Sequence, residues 1–277
     1  MKLVNSLELE NFLAKNKLKP SHALGQNFLV DKNVLNKILE AGELDRDDEV
    51  VEVGSGLGVL TAELATRVKK VVALEFDAKI FPKLQENLSE IKNVELKNID
   101  VRRFIPPATP YKLIANIPYY LTSPILRKFF IENGNPPKVV VLLVQKEVAQ
   151  KICNAEKLSV LSLEVKLFGN PEIIEIVKPV SFLPPPKVDS AILKISLKEK
   201  FEVRTEDIKD FFKILYAGFH SPRKKIRGSF ASGLAQKKEV AFTILKQAGI
   251  DENLRPENLS INDWKRILEV SREVISL

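Results

Sequence analysis

Apolar residues in the first half of the chain fall into short continuous runs separated by stretches of helical spacing. Residues 49–53, 70–74, 94–96, 111–115 and 139–144 are rich in valine, leucine and isoleucine and predict strands. The unbroken run at 139–144 is of the kind found in strands covered on both faces. Between these runs, residues 60–67 carry a helical pattern, and Ile80, Leu84 and Leu88 share one face of a helix that Asp77 is placed to cap. Ser123-Pro124 supplies an N-cap and first-turn pair for a helix through residue 131. Another helix, capped by Asp31 and ended by Gly42, presents Val34, Leu35, Ile38 and Leu39 before the first strand. Strand alternating with helix at this pace predicts a parallel α/β sheet with helices on both faces.

Past residue 146 the pattern changes. Residues 159–168 and 188–197 read as two further strands flanking the stiff Phe182-Leu183-Pro184-Pro185-Pro186, which predicts a hairpin-like closing edge. Residues 208–217, 239–248 and 261–270 then all carry helical periodicity. The expected organisation is an α/β domain over residues 1–200 and a small all-helical domain over residues 201–277.

Composition narrows the classes. With 45% apolar and 29% charged residues, the chain has the material for a core and is not a disordered polymer. A single cysteine, Cys153, and two histidines, His22 and His220, exclude a disulfide framework and a conventional closed zinc site, so no metal is expected. No apolar run approaches the roughly 18 to 20 residues of a membrane span, and charges interrupt the opening where a signal peptide would be apolar. The expectation is a cytoplasmic protein with no membrane partner. A net charge of +7 favours polyanions. Between His220 and Lys238 lie Arg223, Lys224, Lys225, Arg227, Lys237 and Lys238 with no acid, a run that in isolation reads equally as a solvated helix face.

Candidate chemistry gathers where the strands end. Gly54-Ser55-Gly56-Leu57-Gly58 follows the first strand and predicts a turn whose backbone approaches a nucleotide-type ligand. Its spacing is G-x-G-x-G, and the position of the third glycine of a dinucleotide fingerprint holds Val59. Glu75 ends the second strand as either an acceptor for ribose hydroxyls or an ordinary strand-end carboxylate. Asp100, after the third, is either an acceptor for an adenine amine or a turn residue. Asn116-Ile117-Pro118-Tyr119 follows the fourth strand at the same rim and combines a carboxamide, a restrained backbone and an aromatic face. An exocyclic amine is a weak nucleophile because its lone pair is delocalised into the ring. Acceptors for its two hydrogens, such as the Asn116 oxygen, favour a tetrahedral nitrogen without a strong base. Tyr119 can stack on an extruded base, and Phe182 is either the opposite wall or a core aromatic beside a stiff loop.

At this point the chain resembles a known family, the small-subunit ribosomal RNA adenine N6,N6-dimethyltransferases, which use S-adenosylmethionine. The resemblance is carried by Gly25-Gln26-Asn27-Phe28-Leu29, Glu52-Val53-Gly54-Ser55-Gly56-Leu57-Gly58, Glu75, Asp100, Asn116-Ile117-Pro118-Tyr119-Tyr120, Gln145-Lys146-Glu147-Val148-Ala149 and Phe182-Leu183-Pro184-Pro185-Pro186-Lys187-Val188-Asp189-Ser190-Ala191. It implies a Rossmann-like class I methyltransferase sheet followed by a helical RNA-binding domain. It also implies that Asn27 and Leu29 belong to the donor's lid, that Gly54 contacts its methionine portion, Glu75 its ribose and Asp100 its adenine. Asn116 would lie between donor and target base, with Tyr119 and Phe182 sandwiching that base. Arg223, Lys224, Lys225 and Arg227 would contact RNA phosphates. The implied reaction is dimethylation of two adjacent adenosines in the 3'-terminal hairpin loop of small-subunit ribosomal RNA, on pre-30S particles, by a monomer. Rival readings are a large-subunit adenine methyltransferase of the macrolide-resistance type, a nicotinamide-dependent oxidoreductase and a non-catalytic RNA-binding assembly factor. The Asn-Ile-Pro-Tyr motif does not separate the first of these; the Tyr-Tyr-Leu-Thr-Ser-Pro continuation and the Phe-Leu-Pro-Pro-Pro-Lys-Val-Asp-Ser-Ala block favour the small-subunit branch.

Overall fold

The computed structural model describes residues 4–132 and 134–275. They form two compact units: one holds residues up to Gln150 together with Asn170–Leu197, the other Lys151–Gly169 together with the chain from Lys198 onward. In the first unit the order is α1 (Ser6–Lys15), β1 (Phe28–Leu29), α2 (Lys32–Ala41), β2 (Glu49–Val53), α3 (Val59–Ala65), β3 (Lys70–Glu75), α4 (Phe81–Leu88) and β4 (Val94–Asn98). There follow β5 (Lys112–Asn116), α5 (Thr122–Arg127), β6 (Val139–Gln145), the start of α6 (Lys146–Cys153), β7 (Gly169–Val177), β8 (Phe182–Leu183) and β9 (Ser190–Leu197). The second unit carries α7 (Val160–Phe168), α8 (Ile208–Gly218), α9 (Ile226–Leu234), α10 (Lys238–Gln247) and α11 (Ile261–Ile275). Among the described residues no helix is long and apolar enough to cross a membrane.

The seven-stranded sheet has the order β4-β3-β2-β5-β6-β9-β7. The pairs from β4 to β6 are parallel, and β9 returns antiparallel to β6. From β2 the chain steps outward through β3 and β4, then crosses back to build the other half from β5, so the carboxyl ends of β2 and β5 form a topological switch point. Val34, Leu35, Ile38 and Leu39 of α2 and Leu60 and Leu64 of α3 join Val50, Val71, Ile114 and Val141 of the sheet in one core. Asp31 caps α2 as expected, its Oδ1 accepting from the amides of Asn33 and Val34 at 2.9 and 3.3 Å. Gly42 ends that helix in ordinary right-handed torsions; a Cβ there would lie 2.6 Å from Ile114 Cδ1, so what glycine permits is close approach to β5.

Several elements differ from the sequence expectation. Residues 159–168 form helix, not strand: the Leu-Ser-Leu-Glu-Val-Lys-Leu stretch alternates like a strand, but Ser159 and Ser162 form a capping box and α7 is buried on most of its circumference, which hides the helical period. The closing hairpin instead uses β7, which lies at the edge of the sheet, a place where a strand tolerates a proline such as Pro171. Asp77 caps the turn that leads into α4, its Oδ1 accepting from the Lys79 amide at 2.9 Å, while α4 itself starts at Phe81 with Pro82 in its first turn. Ser123-Pro124 lies inside the first turn of α5 rather than before it, and residues 128–132 continue as a π-helical turn. Helices α1 and α9 carry no strong periodic signal in the sequence.

Within the second unit, Phe168 packs on Phe201 and Phe212 at ring centroids 5.3 and 6.4 Å apart, and the Tyr216 hydroxyl donates to Glu164 at 2.7 Å. These contacts bring residues 151–169, which the sequence assigns to the α/β domain, into the helical unit. Arg272 bridges Asp207 and Asp210 at 2.6 and 2.7 Å. Helices α8 and α9 meet at backbone distance: a Cβ on Gly233 would fall 2.0 Å from the Ala217 carbonyl oxygen. Gly233→Ala gains about 1 kcal/mol of helix propensity but overpacks a backbone contact, a cost of about 1–3 kcal/mol or more. The expected outcome is a lower urea midpoint for unfolding; a raised midpoint would show that the two helices separate freely.

Candidate active site

A cavity of about 300 Å³ opens at the switch point, and Asn27, Leu29, Gly54, Glu75, Asp100 and Asn116 all line it, as does Tyr119. Residues from Asn27 to Tyr119 converge because each follows a strand or lies in the segment laid across the strand ends. Gly54 and Gly56 take left-handed torsions, φ +76° and +56°. A Cβ on Gly54 would stand 3.5 Å from the Asn116 carbonyl oxygen, and one on Gly56 3.2 Å from the Phe28 ring. The third glycine, Gly58, is also left-handed but packs against Leu84 and Leu88 of α4 and does not line the cavity.

Each carboxylate at the rim has a distinct environment. Glu75 Oε2 accepts from the Gly56 amide and Oε1 from the Asp77 amide, both at 2.7 Å, which fixes the carboxylate and leaves each oxygen a further lone pair. Burial pushes its pKa up, and the two amides offset part of that rise. Asp100 is gripped by Arg102, whose side chain donates to both carboxylate oxygens at 2.5–3.1 Å, and this lowers the Asp100 pKa. The Asn116 Nδ2 donates to the Asn27 carbonyl at 3.1 Å, so the side-chain oxygen is left as acceptor.

The N-terminal segment is tied down at several points. Gln26 Nε2 donates to Asp77 Oδ2 at 2.8 Å, the carboxylate oxygen not used at the turn into α4. β1 pairs antiparallel with β8, Leu29 opposite Phe182, and the Val30 amide donates to the Ser181 carbonyl at 2.9 Å. Leu9 and Leu13 of α1 pack with Val30, Leu57 and Ile80 beside it. Tyr119 stands in the turn after β5 with its hydroxyl 2.6 Å from Ser190 Oγ. Phe182 is 3% exposed, sits in the core with Leu29, Val34 and Leu35, and does not line the cavity. It stands directly opposite Leu29 in the β1–β8 pairing, next to the segment that lines the cavity. In the second unit, Arg223, Lys224 and Lys225 precede α9 and Arg227 lies in its first turn; Lys225 donates to Asn253 and Arg227 pairs with Glu252 at 3.1 Å.

The profile described as "Ribosomal RNA adenine dimethylase" matches residues 16–273. The chain belongs to this family. Its relatives include a Ribosomal RNA small subunit methyltransferase A of Dehalococcoides mccartyi, 41% identical over 256 residues that cover 90% of this chain and 88% of the relative. A protein of the same name from Clostridioides difficile is 37% identical, covering 95% and 94%. Among solved structures, a dimethyladenosine transferase from Plasmodium falciparum is 26% identical with a TM-score of 0.76, covering 89% of this chain and 98% of that one. The 23S rRNA methyltransferase ErmE is 27% identical with a TM-score of 0.69, covering 88% and 99%.

Reading the sequence as that of a family member still leaves Glu52 and Ser190 without roles. Glu52 is an acid set between the valines of β2, a signal in itself, and it lines the cavity at 2% exposure. Burial pushes its carboxyl up to about 8, with hydroxyl bonds from Thr61 and Ser55 holding it lower than burial alone would. Thr61 Oγ1 donates to it at 2.5 Å. A carboxyl raised on folding favours the folded state below its ordinary pKa, and that contribution is lost as pH climbs through about 8. Glu52→Gln, which keeps an acceptor for Thr61, is therefore expected to raise Tm relative to wild type near pH 8 and to change it little near pH 5. Parallel melting curves of the two proteins across that window are the check, and a Tm gain that is the same at both ends contradicts the assignment.

Proposed function

We propose that this protein transfers methyl groups from S-adenosylmethionine to the N6 amines of two adjacent adenosines in the 3'-terminal hairpin loop of small-subunit ribosomal RNA, acting as a monomer on pre-30S particles. The observation that carries the reading is the Asn116 carboxamide, oriented by its bond to Asn27 and facing the cavity shared by Glu75 and Asp100. The small-subunit names of the 35–41% identical relatives support this substrate over the large-subunit alternative.

The cavity suits the donor. Its first two glycines leave a backbone cradle that a Cβ would fill, and Glu75 is fixed with lone pairs to spare for a ribose diol. Bound there, the donor supplies a methyl group already activated on a positively charged sulfur. Gly54 accommodates its methionine portion, Asp100 accepts from its adenine amine, and Asn27 and Leu29 cover it. On the RNA side, Asn116 Oδ1 and the carbonyl before Pro118 hold the two hydrogens of N6, which turns the nitrogen lone pair out of conjugation. Tyr119 stacks on the extruded base. Phe182 supports this rim from the core. The protein's contribution is alignment and polarisation, with no acid or base required.

Methyl incorporation into unmethylated small ribosomal subunits, and none into large subunits, is the expected result; incorporation into large subunits would move the chain to the macrolide-resistance type. Asn116→Ala is expected to cut the methylation rate by about 100-fold or more while leaving RNA affinity nearly unchanged. Wild-type rates in that variant would remove the assigned role.

The helical unit supplies phosphate contacts, and Arg223 and Lys224 are placed to do most of this because Lys225 and Arg227 already have polar partners. Replacing both Arg223 and Lys224 by alanine is expected to weaken RNA binding and to make the log–log salt dependence shallower by about 0.9 for each phosphate that is no longer neutralised. Arg227→Ala should have the smaller effect in the same titration.

A further inference from the structure

A tyrosine that only stacks on a base has no need of its hydroxyl, since phenylalanine offers the same face. In this structure the Tyr119 hydroxyl is held 2.6 Å from Ser190 Oγ, within the range of a well-formed O–H···O bond. Ser190 is fully buried and is the first residue of β9, directly opposite Gln145 of β6 in the antiparallel ladder. The residue before it is pinned as well. The Asp189 carbonyl accepts from the Lys146 amide at 3.0 Å, and its carboxylate pairs with Lys178 at 2.9 Å and Lys146 at 3.7 Å. Ser190 is thus a fixed post in the sheet, and its bond to Tyr119 removes the ring's freedom to swing about its Cα–Cβ axis.

The consequence differs between the two transfers that each adenosine undergoes. In each, N6 forms a bond to the methyl carbon as the carbon–sulfur bond breaks, the sulfur keeps the electron pair, and one N–H proton is lost to water. Before the first transfer N6 has two hydrogens, one for Asn116 Oδ1 and one for the backbone carbonyl. Before the second it has one, so one of the two anchors is gone and the base depends more on the ring beneath it.

We propose that Ser190 is a positioning residue which, by holding the Tyr119 hydroxyl, keeps the monomethylated base aligned for its second methyl transfer. This rests on the functional reading above and adds to it the step at which Ser190 acts. Nothing about the first transfer calls for it to the same degree.

The test follows single-turnover methylation of unmethylated small ribosomal subunits, with N6-methyladenosine and N6,N6-dimethyladenosine quantified by mass spectrometry after nuclease digestion. Wild type, Ser190→Ala, Tyr119→Phe and the double variant are compared. Both single variants are expected to slow the second transfer about three- to tenfold, the scale of one hydrogen bond, and to slow the first less, so that monomethyladenosine accumulates. The double variant is expected to be no slower than the slower single variant, because both changes delete the same bond. Tyr119→Phe removes that bond without touching β9, so it reports on the bond even if Ser190→Ala perturbs the strand. A wild-type ratio of mono- to dimethylated product in Tyr119→Phe, or defects that multiply in the double variant, overturns the inference while the functional reading stands. A wild-type protein that dimethylates no adenosine overturns both.

Discussion

Strands β2 and β5 lie side by side, yet the chain leaves them for opposite halves of the sheet, so their carboxyl ends are left open between departing segments. Everything placed at the site depends on that divergence. The backbone at Gly54 has room for a left-handed turn against the Asn116 carbonyl only because both strands end at the same level. β3 runs parallel to β2 and delivers Glu75 to the same rim, where the amides of the glycine turn and of Asp77 meet its carboxylate. The N-terminal segment then closes the opening from above through Asn27, whose carbonyl in turn orients Asn116.

The same burial acts differently on the two glutamates at this rim. Glu75 receives two backbone N–H donors, which favour its charged form, and so remains usable as an acceptor although burial raises its pKa. Glu52, one strand away, receives only hydroxyl donors and is held up to about 8. Proximity to Glu75 reinforces that difference, since two ionised carboxylates so close in a poorly solvated site repel one another.

Much of this is legible from the chain alone, and for a definite reason. In a parallel sheet the functional rim is the set of positions just past each strand, so finding the strands locates Gly54, Glu75, Asp100 and Asn116 together. What the chain hides depends on pairings between distant segments. Ser190 reads as one more polar residue until β9 is laid against β6, and Phe182 shows an aromatic beside prolines but not that β1 will pair with its strand. Helix α7 is concealed because burial on most sides erases the contrast between faces on which periodicity relies. The Arg227–Glu252 pair joins residues 25 apart and does not follow from the density of positive charge.

The two-stranded pairing of β1 with β8 joins the segment that covers the cavity to the loop that runs into the triple proline. On the proposed function, four successive methylations exchange the spent donor between rounds beneath this segment. Because that segment and the loop are knitted by shared ladder bonds, a displacement of one is felt at the footing of the other.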